Sequence, residues 1–347
     1  MKVGVLTSGG DCPGLNAVIR AITRKCTELE YESVGIMQGW KGIMDESYKP
    51  LTLKTVAGIV NRGGTILGTS RYSPFEVSNG AEMLQHKIAK EEFDALICIG
   101  GEGSMHIAQQ AHNIGINVVG VPKTIDNDIS GTDFTFGFDT AVGVATEAID
   151  RLHTTAESHH RIMVLEVMGR HAGWIAVYSG IAGGADVVVI PEKKTKIDDI
   201  VKVIKSRYQR GKLFSIIVVA EGATYLEDEM TETMKKFDVV KRKDSFGRVR
   251  LGGLGNMLAE ELERRTGFET RATILGYVQR GGVPSAFDRV LGTRFGVYSV
   301  EMVRDGKFGR MCAVNSNEMT DIPIKDAIGK LKTVDMELYK VAKVFFN

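Results

Sequence analysis

The sequence predicts an α/β fold of two doubly wound parallel-sheet domains, and three observations carry that reading. Short runs rich in Val, Ile and Leu recur along the chain, amphipathic stretches separate them, and glycines cluster where the runs end. A strand that is apolar on both faces has to be covered on both, and alternating helices supply that cover on the two sides of a parallel sheet.

In chain order, the first run is Lys2 to Thr7, and it leads into a helical stretch at Leu15 to Glu28. Runs at Asp94 to Ile99 and Asn117 to Val121 flank a helix at Ser104 to Asn113, and a longer helix follows at Asp139 to Thr154. Arg161 to Val167, Asp186 to Ile190 and Phe214 to Ala220 are the next strands, with helices at Trp174 to Ala182 and Asp198 to Tyr208 between them. Helices at Asn256 to Arg265 and Ser285 to Arg304 complete the pattern, so the order reads βαβα throughout. The polar, poorly periodic stretch from Lys241 to Arg248 reads as a surface loop rather than a basic binding patch.

At 347 residues and 43% apolar composition the chain can bury a large core and exceeds the usual size of one domain, which predicts two lobes with a cleft. Lys and Arg number 44 against 43 Asp and Glu, a balance that creates no field to recruit nucleic acid or an anionic membrane. Any anion site must therefore be local. Cys12, Cys26, Cys98 and Cys312 lie far apart with no CxxC pair, which fits free thiols in a reducing cytosol. The opening MKVGVLTSGGD reads as a strand and turn, not a signal peptide, and no apolar run approaches the ~18 residues of a membrane span. A soluble, cytoplasmic protein is expected.

The glycines fall in pairs at strand ends, among them Gly9-Gly10, Gly63-Gly64, Gly100-Gly101, Gly183-Gly184, Gly252-Gly253 and Gly281-Gly282. Ligands of open α/β sheets bind at those ends, where glycine lets the backbone approach them. The first such turn, Thr7 to Ala17, feeds a helix whose amides and positive dipole end favour a phosphate, although a tight turn without ligand has the same pattern. In Gly100-Gly101-Glu102-Gly103-Ser104 a carboxylate sits inside a phosphate cradle, which implies magnesium between acid and polyphosphate. The alternative is a turn that only caps its helix through Ser104. In Pro122-Lys123-Thr124-Ile125-Asp126-Asn127-Asp128 two carboxylates at a strand end can divide labour, one taking a hydroxyl proton and one serving a metal. Asx hydrogen bonding in a turn is the competing explanation.

Taken in order, TSGGDCPGLNAVIR, NRGGTILGTSR, GGEGS, PKTIDNDI, EVMGRHAG, IAGGAD and TRATILGYVQRGG resemble the motifs of the 6-phosphofructokinase family, over about residues 1 to 300. The resemblance implies two Rossmann-like domains with the active site in the cleft between them. Residues 1–137 plus about 280–328 would bind ATP and magnesium, residues 138–279 fructose 6-phosphate, and residues 329–347 would form a C-terminal helical segment. The implied reaction is transfer of the γ-phosphoryl group of ATP to the 1-hydroxyl of fructose 6-phosphate in glycolysis, with pyrophosphate as the alternative donor.

The same resemblance makes Asp126 the base, puts Thr124 on the transferred group, and leaves Asp128 nearby. Gly10, Arg71, Tyr72, Gly101, Glu102, Gly103, Ser104 and Lys123 match nucleotide positions, with Glu102 and Asp128 toward magnesium. Arg161, Met168, Gly169, Arg170, Glu221, Arg271, Tyr277 and Arg280 match sugar-phosphate positions, and Arg170 also serves catalysis. Separated arginines suit a phosphate dianion, which exchanges strong hydration for charge-assisted donors. The arginines at the Arg161 and Arg271 positions reach a neighbouring subunit in the family, so a homo-oligomer, dimer or tetramer, is implied.

Three positions depart from the pattern. Glu102 replaces the commoner Asp, Tyr72 differs from the bacterial pattern, and Tyr277 stands where many members have a histidine. Gly103 accompanies ATP in the family and Lys123 accompanies pyrophosphate, and the steric room left by Gly103 favours ATP. Arg20, Arg24, Lys54 and Lys212 approximate the family's effector site, but His153, Leu213 and Phe214 replace residues expected there, which argues against that form of regulation. His159, His160 and His171 lack a companion ligand set at metal spacing and read as structural or surface residues. An NAD or lipid kinase with the same Gly-rich turn would not need the arginines, and a silent sugar-phosphate sensor would not need Asp126.

Overall fold

The computed structural model describes residues 1–224 and 252–346. The stretch Lys241 to Arg248 lies outside them. The elements run β1 (Lys2–Ser8), α1 (Leu15–Glu28), β2 (Glu32–Ile36), α2 (Trp40–Met44), β3 (Tyr48–Leu51), α3 (Gly80–Lys90), β4 (Ala95–Gly100), α4 (Glu102–Asn113) and β5 (Val118–Pro122). They continue with α5 (Phe138–His159), β6 (Ile162–Val167), α6 (Trp174–Ala182), β7 (Val187–Val189), α7 (Ile197–Gln209) and β8 (Ser215–Ala220). After these come α8 (Leu254–Thr266), β9 (Thr270–Ile274), α9 (Ala286–Arg304), β10 (Arg310–Asn315), β11 (Glu318–Pro323), α10 (Ile324–Ile328) and α11 (Met336–Lys343).

The chain forms two compact units, Met1–Thr140 with Arg280–Lys332, and Ala141–Gln279 with Thr333–Asn347. The first unit has a sheet in the order β11-β10-β5-β4-β1-β2-β3. Its interior strands are parallel, with Val5 of β1 opposite both Gly35 of β2 and Ile97 of β4. Both edges are antiparallel, which corrects the expectation of βαβα order throughout. The reason is local. Ser316 and Asn317 both adopt positive φ, the geometry of a two-residue hairpin turn, so β11 folds straight back on β10. On the opposite edge, β3 tolerates Pro50 because only one of its sides pairs.

Leu6, Ile36, Leu96 and Val118 of this sheet pack with Met105, Ala108 and Ala111 of α4. Helix α1 buries Leu15, Val18, Ile19 and Ile22, each worth roughly 1.5–3 kcal/mol when removed from water. That packing holds rigid the strand ends from which the loops rise.

The second unit has a wholly parallel sheet, β7-β8-β6-β9. Val164, Val189, Ile217 and Val219 pack there against Ile200 and Ile204 of α7 and Leu258 and Leu262 of α8. All four cysteines are buried free thiols. Among the described residues no helix is long and apolar enough to cross a membrane.

Candidate active site

In the first unit, the loop after β1 is built around backbone carbonyls. Thr69 Oγ1 donates to Gly9 O at 2.6 Å, and Lys123 Nζ donates to Gly10 O. Arg280 Nη1 donates to Asp11 O at 3.2 Å. A Cβ on Gly10 would stand 2.8 Å from that Nη1, so only glycine lets the guanidinium lie there. Arg71 is exposed, and Tyr72 packs partly buried against the core of this unit.

The turn after β4 enters α4 with Gly101 in extended conformation as N-cap and no side-chain cap. Ser104 is buried inside the first turn, its amide donating to Gly101 O at 2.9 Å, so the reading of Ser104 as a cap is set aside. The helix start, uncapped by any side chain, is the kind of terminus that attracts phosphate. Glu102 and Gly103 are exposed beside it, with Glu102 Oε1 3.9 Å from His106 Nε2.

After β5, Lys123, Thr124 and Asp126 are all buried. Asp126 is 4% exposed, its amide donates to Thr124 Oγ1 at 3.0 Å, and its Oδ1 has no hydrogen-bond partner. The Asx-turn explanation therefore fails for that oxygen. Thr135 Oγ1 donates to Thr124 O at 2.8 Å, and Asn127 Oδ1 accepts from the Thr135 amide at 3.1 Å. Burial pulls the Lys123 ammonium below its usual range, helped by Arg280 and opposed by Asp126 and Asp11. Burial likewise pushes the Cys12 thiol far up, which keeps it protonated.

In the second unit, the turn after β6 carries Gly169 at φ 136° and Arg170 at φ 52°. The Arg170 amide donates to Glu221 Oε1 at 3.1 Å. A Cβ on Gly222 would lie 1.8 Å from Arg170 O, so the two loops touch through bare backbone. A cavity of about 140 Å³ opens here, lined by residues that include Glu166, Met168, Glu221, Gly252, Ile274 and Tyr277. Tyr277 is 81% exposed. Arg161 Nε lies 2.8 Å from Glu269 Oε2 and Arg271 Nη2 lies 2.5 Å from Glu269 Oε1, so one carboxylate joins both arginines. Arg161 holds that carboxyl below its usual range, the main cause, with Arg271 adding to the effect.

Arg280, grouped by sequence with the sugar-phosphate arginines, belongs to the first unit and contacts the Gly10-Asp11 turn. His159, His160 and His171 are exposed, and among the described residues no group of three or more His, Cys, Asp or Glu gathers as a metal cage. His153 Nε2 sits 3.0 Å from Gly183 O and meets Phe214 edge-on at 5.8 Å, a packing arrangement.

Sequence reasoning passed over Glu166. Its carboxylate accepts from the amides of Gly253 at 3.0 Å and Gly255 at 2.7 Å, at the start of α8. Burial raises its pKa and these amides oppose the rise. The signal was a lone acid in the otherwise apolar strand Ile162–Val167. Glu269 had no such signal.

An open α/β sheet whose helix α4 starts without a side-chain cap, with buried Lys123 and Asp126 at the neighbouring strand end, has the features of a phosphate-handling protein. The phosphofructokinase family model matches residues 2–303. The chain is 52% identical over 348 residues, covering 100% of both chains, to a protein of Amycolatopsis mediterranei named pyrophosphate–fructose 6-phosphate 1-phosphotransferase. It is 50% identical, again over 100% of both, to ATP-dependent 6-phosphofructokinase 2 of Streptomyces coelicolor. The solved phosphofructokinase of Saccharomyces cerevisiae is similar with a TM-score of 0.80 at 29% identity, over 99% of this chain and 46% of that one. This chain belongs to the phosphofructokinase family.

Proposed function

We propose that the chain transfers the γ-phosphoryl group of ATP to the 1-hydroxyl of fructose 6-phosphate, giving fructose 1,6-bisphosphate and ADP. The observation that carries the reading is the unpartnered Oδ1 of buried Asp126. A buried carboxylate oxygen without a donor is costly, and a substrate hydroxyl is the donor that would satisfy it.

Asp126 accepts the proton as the 1-hydroxyl oxygen attacks the terminal phosphorus in line and the bond to the leaving oxygen of ADP breaks. Thr124 Oγ1 already accepts from the Asp126 amide, so its own proton is available to the transferred group. Lys123 and Arg280, held at the Gly10-Asp11 turn, offer positive charge to the donor phosphates. The bare start of α4, with Gly101, Gly103 and Ser104, adds amides, and Gly10, Arg71 and Tyr72 complete the nucleotide set.

Exposed Glu102 and half-buried Asp128 provide only oxygen donors, which suits magnesium, an ion that keeps waters and takes phosphate oxygens. When bound it neutralises phosphate charge. Met168, Gly169, Arg170, Glu221 and Tyr277 would hold the sugar phosphate, with Arg161 and Arg271 acting on the site of a neighbouring subunit in a cytoplasmic homo-oligomer. The first unit would serve donor and magnesium, the second the sugar phosphate.

Lys123 favours a second reading, in which pyrophosphate replaces ATP, because its ammonium sits at the phosphate turn and relatives of both names are about equally similar. Exposed Gly103 tips the choice to ATP, since it leaves a nucleotide's α-phosphate unobstructed. Fructose 1,6-bisphosphate formation measured in parallel with ATP and with pyrophosphate tests both. Product from neither donor overturns the function, and product from pyrophosphate alone overturns the donor.

A further inference from the structure

We propose that Lys332 is a positioning residue for the loop that carries Asp126, a role that rests on the phosphoryl-transfer reading above. Residues 330–332 run beside that loop. Ile129 and Leu331 form an antiparallel bridge, the Lys332 amide donates to Asp128 O at 3.0 Å, and Ser130 Oγ donates to Lys330 O at 2.6 Å. The Lys332 ammonium then turns inward. It donates to Thr132 O at 2.9 Å, Asp133 O at 2.5 Å and Asn127 Oδ1 at 3.3 Å.

Asn127 is the link to chemistry. It follows Asp126 directly and adopts φ 50°, a left-handed conformation that asparagine tolerates better than most residues with a side chain. Its Oδ1 is shared between the Thr135 amide and the Lys332 ammonium. Thr135 in turn donates to the carbonyl of Thr124, whose hydroxyl accepts from the Asp126 amide. A chain of hydrogen bonds thus connects Lys332 to both sides of the base. Charge-assisted donation to three oxygens of one loop is stronger and more directional than neutral bonding, so the ammonium sets the loop's shape. A base displaced by an ångström or so loses about a hundredfold in rate while its ligands still bind.

The test compares the full-length chain with Lys332→Met, which keeps length but removes the donors, and Lys332→Arg, which restores them. Expected for Lys332→Met are a kcat about 10- to 100-fold lower, KM for both substrates within about twofold, and faster hydrogen exchange in residues 124–135. Lys332→Arg should recover most of the lost kcat. A purely structural role would not separate kcat from KM. A kcat within twofold of wild type, unchanged exchange in 124–135, or a raised KM at unchanged kcat overturns the proposal, the last because it would make Lys332 a phosphate ligand. If Lys332→Met does not fold, Lys332→Gln carries the same readouts. A wild-type chain that forms no product from either donor overturns the phosphoryl-transfer reading instead, and the exchange measurement still decides whether Lys332 holds the loop.

Discussion

Arg280 donates from its Nη1 to the carbonyl oxygen of Asp11 at 3.2 Å, although the two residues are 269 positions apart. The contact places a guanidinium at the first glycine-rich turn, where donor phosphates are expected. Arg280→Ala should therefore raise KM for the phosphoryl donor. Loss of a charged hydrogen bond of about 2 kcal/mol corresponds to roughly 30-fold. Initial-rate kinetics with each substrate varied in turn check this, and a rise confined to fructose 6-phosphate would return Arg280 to the sugar-phosphate set.

Asp126→Asn keeps the shape of the buried side chain and removes the base. The kcat should fall about 10²- to 10⁴-fold while fructose 6-phosphate binding, followed by calorimetry, stays within a few-fold. Turnover near the wild-type rate would show that another group takes the proton.

Donor choice should divide between two substitutions. Gly103→Asp places a carboxylate in the exposed first turn of α4 and should lower kcat/KM for ATP at least about 100-fold, by charge and by bulk. Lys123→Gly removes the ammonium bonded to Gly10 O and should abolish any turnover of pyrophosphate while ATP turnover falls less. The two ratios, read from the same product assay, should move in opposite directions.

Acid stability should depend on Asp321 at the edge of the first sheet. Burial pushes this carboxyl up, but Lys307, Arg310 and Tyr298 donate to it and outweigh burial, holding it at about 2 against an ordinary 3.8. A carboxyl with a depressed folded-state pKa stabilises the fold above its ordinary value and loses that contribution as pH falls. The melting temperature should therefore decline between pH 4 and 2, and less steeply in Asp321→Asn, as thermal melts across that range would record.

Six buried strands could be read from sequence because they are apolar on both faces, whereas buried Arg310–Asn315 escapes notice because its apolar run is only the four residues Met311 to Val314; helices Leu15–Glu28 and Trp174–Ala182 have the limits their patterns imply. Three other strands, β2, β3 and β11, could not. Glu32–Ile36 opens on an exposed acid, Tyr48–Leu51 contains a proline, and Glu318–Pro323 is only half-buried, so none presents a continuous apolar run. At the site, a single stretch of chain holds Lys123, Thr124 and Asp126, and motifs suffice to find it. The contacts of Lys332 with Asn127 and of Arg280 with Asp11 join residues more than 200 positions apart, and no local pattern announces them.

The closing of the Asp126 loop by residues 330–332 also sets the order in which a new chain becomes competent. Asn127 leaves the ribosome 205 residues before Lys332. At ordinary rates of synthesis that interval is roughly 10 to 40 s. Throughout it, Asp126 and the glycine-rich turns after β1 and β4 already exist while the ammonium bonded to Asn127 does not. The Asp126 loop is therefore completed only after the strands of both sheets have been made.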